Sequence, residues 1–113
     1  MIDLSPVDHA DAYQWASTLL AHTTIGLALT AALGALIRSA WPAAVIVSLA
    51  YTLGWEVWWQ ALGAGLADAV VDSAAVTAGA VIAAAAWERK GGAVAAALVA
   101  LAAVLWRGIR RRS

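Results

Sequence analysis

The sequence predicts an all-α membrane protein: an antiparallel bundle of four transmembrane helices that makes a single domain of residues 1–113. Hydrophobic residues form 64% of the chain and charged residues only 12%, whereas a soluble domain is about 45–50% apolar and about 25% charged. A chain of 113 residues is too short to bury that excess inside itself. The hydrophobic residues also fall into four runs of helical length. The lipid bilayer is therefore the predicted solvent and the first predicted partner.

Composition also excludes other classes of protein. The high apolar content excludes intrinsic disorder, the absence of Cys excludes a disulfide scaffold, and the length excludes a multidomain enzyme. The formal net charge is zero, so no nucleic-acid partner is expected.

The four hydrophobic runs predict helices over roughly 15–37, 42–62, 66–87 and 93–109. The first run ends at Arg38, and the second opens with Pro42, a residue suited to a first helical turn. Glycine-containing turns precede the third and fourth runs. A transmembrane helix needs about 20 residues, and short loops make neighbouring helices antiparallel. Three spans, with one segment lying in the membrane interface, are the alternative.

Tryptophans mark the ends of these runs, as expected for side chains that collect at the membrane–water interface. One lies at an end of each predicted span: Trp15, Trp41, Trp87 and Trp106. A soluble bundle would place polar residues on about half of each helix, but residues 93–105 contain none. The tryptophans therefore support the four-span prediction.

The basic residues leave the orientation of the bundle open. We call side A the membrane face that carries both termini and the turn at 63–65, and side B the opposite face. Side A has four basic residues, Arg107, Arg110, Arg111 and Arg112. Side B has three, Arg38, Arg89 and Lys90. Four against three does not decide which side is cytoplasmic, but the Arg-rich C-terminus is predicted to contact anionic lipid.

Four ionisable residues fall inside the predicted spans: His22, Glu56, Asp68 and Asp72. Such groups cost about 2.5–3.5 kcal/mol each to insert and indicate function. At about 1.5 Å per residue, His22 lies about 10 Å below side A, Glu56 and Asp72 about 9 Å, and Asp68 about 3 Å. The alternating helix directions therefore predict one polar site that opens toward side A.

Small and polar residues accompany these groups at intervals of four. Thr18 and Gly26 flank His22, and Thr52 and Gln60 flank Glu56. Such strips let helices approach closely and form hydrogen bonds across the contact. We therefore expect these four residues to support the site.

The chemistry of the predicted site is open. One histidine and three carboxylates suit a divalent cation, and the carboxylates favour Mg²⁺, Ca²⁺ or Mn²⁺. The same groups could transfer a proton. They could equally be structural, with Asp68 capping the third helix, Glu56 pairing with His22, and Asp72 bonding to Thr52 or Gln60.

The order of these residues resembles the VanZ-like group of small bacterial membrane proteins, some of whose short relatives are phage-encoded. The resemblance covers residues 15–87 and rests on His22 with Gly26, the WEVWWQ stretch with Glu56 and Gln60, Asp68-x-x-x-Asp72, and Gly79. It implies an envelope-associated bacterial membrane protein with a polar site. From the residues of that site, we expect a protein of the bacterial inner membrane that binds a cation or a polar headgroup. The resemblance supplies no reaction.

Two other functions compete with this one. The length, the short loops and the basic ending RGIRRRS are similar to those of phage holins, which would imply a homo-oligomer that forms lesions in host lysis. An intramembrane enzyme acting on lipid-linked substrates is the third alternative. Its nearest candidate nucleophiles are Ser73 and Thr77, and neither has an evident base in the sequence. A binding protein is therefore favoured over an enzyme.

Overall fold

The structure, a computed structural model, describes residues 11–59 and 66–111, with the exception of the side chains of residues 56–59 and 66–68. These residues form helices α1 (Ala12–Ile37), α2 (Ala40–Leu49), α3 (Leu66–Trp87) and α4 (Gly91–Arg111), and a π-helical segment, Ala50–Trp59, that continues α2. Apart from short turns, the described residues are helical, with no strand among them. The prediction of an all-α, four-helix bundle is confirmed.

Contacts between the helices show how they run. His22 of α1 meets Asp72 of α3, and four residues further along both helices Gly26 meets Val76, so α1 and α3 are parallel. Trp15, near the start of α1, lies on Gly108, near the end of α4. The two helices therefore run in opposite directions. The start of α2 lies beside the end of α3, where the Lys90 ammonium is 5.8 Å from the Trp41 ring. The direction therefore alternates along the chain, as predicted.

Among the described residues, three helices are long and apolar enough to cross a membrane: Ala12–Ile37, Ala69–Trp87 and Gly91–Arg111. With 26, 22 and 21 residues, α1, α3 and α4 are about 39, 33 and 32 Å long, against a hydrocarbon core of about 30 Å. The second apolar helix, Ala40–Trp55, is shorter. Residues 60–62 of the predicted second span lie outside the described residues.

The second span differs from the α-helix that the sequence predicted over 42–62. From Ala50 onward it is a π-helix of 10 residues, whereas most π-helical segments are single turns inserted into an α-helix, often at functional sites. Its hydrogen bonds join residue i to residue i+5, whereas those of an α-helix join residue i to residue i+4. The strip predicted through Thr52 and Glu56 therefore does not follow α-helical spacing.

The first helix begins earlier than predicted, because a polar residue caps it. The Asp11 carboxylate accepts a hydrogen bond from the Tyr13 N–H at 2.7 Å, which satisfies one of the free donors of the first turn. The sequence analysis placed the start where the hydrophobic run begins, near Trp15. At its other end α1 stops at Arg38, which adopts the left-handed conformation with φ 57°.

The tightest packing is between α1 and α3, where two glycines face the opposite backbone. A Cβ atom on Gly26 would overlap the Val76 carbonyl, and one on Gly79 would overlap the Thr23 carbonyl. The buried side chains around this contact are small, with Val76 the largest that is fully buried. Small residues of this kind allow membrane helices to approach closely, so this contact sets the level at which residues of α1 and α3 meet.

Candidate functional site

Two of the four predicted site residues lie together in the interior of the bundle. The His22 Nε2 atom is 3.8 Å from the Asp72 Oδ2 atom. His22 is only 4% exposed, and the Asp72 side chain is 14% exposed. His22 lies four residues before Gly26, and Asp72 lies four residues before Val76. The close contact of Gly26 with Val76 therefore holds the pair at the same level.

The other imidazole nitrogen is bonded within α1. The His22 Nδ1 atom lies 2.7 Å from the Thr18 carbonyl oxygen. A carbonyl oxygen is only an acceptor, so Nδ1 carries a hydrogen and donates it. This bond orients the ring and directs Nε2 toward Asp72. Thr18, predicted as a supporting residue, thus contributes its backbone carbonyl.

An aromatic ring covers the imidazole on another side. The Tyr51 ring meets the His22 ring edge-on, with ring centroids 5.7 Å apart and an angle of 78° between their planes. Tyr51 belongs to the π-helical segment, so all three of the elements α1, α3 and this segment meet at the site. The sequence analysis missed Tyr51. Its position in the middle of a predicted span was a signal, since membrane tyrosines usually collect at the interfaces.

Gly26, the second predicted supporting residue, acts through backbone contact. It has no side chain to bind a ligand, and its place against the Val76 backbone brings α1 close enough to α3 for His22 to reach Asp72. Gly79, which the resemblance included, does the same from α3 against Thr23. Both glycines position the ionisable pair.

Most of the remaining predicted site residues have side chains that the structure does not describe. The side chains of Glu56 and Asp68, and all of Gln60, lie outside the described residues. Thr52 is half-buried in the π-helical segment. Within the described ranges, no three or more His, Cys, Asp or Glu side chains cluster as a metal site would require. The described part of the site is therefore a two-residue pair.

Of the buried hydroxyl groups on α1 and α3, one is bonded within its own helix and two have no hydrogen-bond partner among the described residues. Thr23 donates to the Leu19 carbonyl at 3.0 Å, which satisfies the hydroxyl within its own helix. The Oγ atoms of Ser73 and Thr30 are buried without a hydrogen-bond partner among the described residues. Ser73 therefore makes no hydrogen bond to His22 in the described part of the chain.

Comparison with known proteins finds no matching family model, no matching curated sequence and no matching solved structure. The VanZ-like and holin-like resemblances therefore stay predictions, and the function is inferred from the site.

Proposed function

We propose that this chain is a small multi-pass protein of the bacterial inner membrane, with a role in the cell envelope, and that its His22–Asp72 pair binds a divalent cation in exchange for a proton. The observation that supports this function is the separation of 3.8 Å between Nε2 and Oδ2 in a buried setting, with Nδ1 already committed to the Thr18 carbonyl.

The hydrogen bond to Thr18 restricts what the pair can hold. Because Nδ1 carries a hydrogen, neutral His22 presents the Nε2 lone pair to Asp72. An ionised carboxylate also presents lone pairs, so the two groups would repel each other. A positive charge removes this conflict, either as a proton on the pair or as a cation that accepts both lone pairs. The His22–Asp72 pair is therefore a site for either a proton or a cation.

The distance suits a cation. At 3.8 Å, Nε2 and Oδ2 are too far apart for a direct hydrogen bond. A metal ion bonds to imidazole nitrogen and carboxylate oxygen at about 2.1 Å each, so it can contact both atoms when they are less than about 4.2 Å apart. The carboxylates that the sequence places toward the same side of the membrane, Glu56 and Asp68, are the predicted further ligands.

A purely structural pair is the main competing explanation, since the same contact could simply hold α1 against α3. The variant Asp72→Asn distinguishes a structural pair from a cation site, because the amide keeps the size of the side chain and removes the charge that a cation needs. A structural pair would tolerate this change, because the Asn amide can still form a hydrogen bond with His22. A cation site would lose a charged ligand.

The test is calorimetric titration of Mn²⁺ into the purified full-length protein in lipid nanodiscs, repeated in two buffers with different ionisation enthalpies. We expect Mn²⁺ binding with proton release, because the ligands must be deprotonated. Asp72→Asn and His22→Gln should each weaken binding by roughly tenfold or more. Asp11→Asn and His9→Gln make the same chemical changes outside the predicted spans and should leave binding unchanged.

Unchanged Mn²⁺ binding in Asp72→Asn and His22→Gln would contradict the proposal. Mn²⁺ binding without proton release would contradict the exchange of a cation for a proton. If Asp72→Asn inserts and folds normally but the wild-type protein binds no divalent cation, the pair is structural.

A cellular measurement addresses the lesion-forming alternative. Under our proposal, induced expression of the full chain in bacteria leaves the membrane potential intact, as followed with a potential-sensitive dye. Rapid depolarisation on induction would favour the holin-like function instead.

A further inference from the structure

We infer that side B of the protein carries a second site, a groove at the α3–α4 turn that binds an anionic phospholipid. The groove has a volume of about 380 Å³, within the range of about 300–1,000 Å³ typical of small-molecule sites. It lies at the opposite membrane face from the side toward which the His22–Asp72 site opens, and it is independent of the cation proposal.

The lining of the groove has a cationic end and an apolar end. Arg89 and Lys90 form the cationic end. The apolar walls come from the last turn of α3 and the first two turns of α4: Ala86, Val94, Ala95 and Leu98. A phospholipid has the same division, with a charged phosphate joined to an acyl chain. A free phosphate would leave the apolar walls unused, so charge and shape together favour the lipid.

The backbone turn between α3 and α4 carries both of the cationic residues that line the groove. Arg89 has φ 56°, and the Lys90 N–H donates to the Ala85 carbonyl at 2.8 Å, which ends α3 in the manner of a Schellman turn. Guanidinium groups bind phosphate through paired hydrogen bonds, and ammonium groups act as point charges. Arg89 and Lys90 thus supply both modes of phosphate recognition.

The start of α4 adds backbone donors and open space. The first intrahelical bond of α4 runs from the Val94 N–H to the Lys90 carbonyl at 3.1 Å, so the N–H groups of the preceding turn have no acceptor within the helix. Lys90 has only donors and cannot cap them. A Cβ atom on Gly91 or Gly92 would meet no atom within 4 Å. A phosphate can therefore approach this helix end closely, where the helix dipole also favours it.

The depth of the groove suits a lipid headgroup. The Lys90 ammonium lies 5.8 Å from the ring centre of Trp41, and tryptophans mark the headgroup level of a membrane protein. Leu98, at the far end, is two turns deeper along α4. The cations therefore lie at the level of lipid phosphates, and the apolar walls lie at the level of acyl chains.

The test is native mass spectrometry and calorimetry on the full-length protein in a neutral detergent, with dioctanoyl-phosphatidylglycerol as the ligand. Dioctanoyl-phosphatidylcholine and glycerol phosphate serve as comparison ligands. We expect the anionic lipid to bind roughly tenfold or more tightly than either. Replacing both cations, Arg89→Gln with Lys90→Gln, should weaken its binding by roughly tenfold or more, since each basic residue at the surface contributes to anionic-lipid affinity.

Two further variants separate this groove from general charge attraction. Arg38→Gln removes a charge from the same membrane face outside the groove and should change the affinity by less than about twofold. Ala95→Leu keeps every charge and fills the apolar wall, so it should weaken lipid binding while leaving the helical circular dichroism unchanged. Equal losses from the two charge variants, an unaffected Ala95→Leu, or equally tight binding of glycerol phosphate would each overturn the lipid site.

Discussion

The contact between α1 and α3 differs sharply from the surroundings of α4. In the most apolar stretches of α1 and α3, 28% and 39% of the residues are buried, against 6% in α4. The α1–α3 contact brings backbone against backbone at Gly26 and Gly79 and encloses an ionisable pair. In contrast, α4 contacts α1 near its C-terminal end, where the Trp15 ring packs against Gly108.

This difference shows that apolarity does not decide which helices pack together in a bilayer. Lipid chains are as apolar as Leu or Val, so burying such a side chain against another helix gains little over leaving it in lipid. Small residues and polar groups gain more from helix contact, because they allow close packing and hydrogen bonds. The most uniformly apolar span, α4, is accordingly the least buried of the three long helices in the described part of the chain.

The largest effect is expected from adding volume to the α1–α3 contact. Gly26→Val would press a branched side chain into the Val76 backbone, which cannot rotate away, and should destabilise the fold by about 3 kcal/mol or more. Thermal or denaturant unfolding in detergent measures it. Gly92→Ala is the control, because a Cβ there meets nothing within 4 Å. If Gly26→Val were as stable as the wild-type protein, the backbones of α1 and α3 would not be in contact.

A matched pair of valines tests burial in the two regions. Val76 of α3 is fully buried, whereas Val99 of α4 is 69% exposed. Val76→Ala should cost about 2 kcal/mol by leaving a cavity, and Val99→Ala less than about 0.5 kcal/mol, because lipid takes the place of the lost methyl groups. Comparing the two unfolding curves gives the answer. Equal costs would show that another chain covers the exposed face of α4.

A smaller effect is expected where α4 meets α1. A Cβ atom on Gly108 would strike the far edge of the Trp15 ring, a side chain that can move aside. Gly108→Ala should therefore cost about 1 kcal/mol and shift the tryptophan emission as the ring moves. Tryptophan fluorescence of the variant, with Gly92→Ala again as the control, measures both. A cost as large as that of Gly26→Val would show that α4 is locked to the bundle as firmly as α3.

Much of the architecture follows from the sequence alone. The hydrophobic runs, the tryptophans at their ends and the short turns predict four antiparallel helices, and the helix rise of about 1.5 Å per residue places His22 and Asp72 at similar depth. Periodicity could not place the start of α1, because a polar cap at Asp11 extends the helix beyond its hydrophobic run. The π-helical segment was also not predictable, since α-helical spacing was assumed for the whole span.

The sequence by itself determined the helical class, the four helices of the described residues and the common level of His22 and Asp72, because these depend only on hydrophobicity and on a constant rise per residue. The tertiary structure decided which groups meet. The parallel crossing at Gly26 and Gly79 brings His22 to Asp72, with Tyr51 against its ring. Depth along the membrane normal is a property of one helix, whereas the partner of a side chain depends on how neighbouring helices are rotated and how closely they pack.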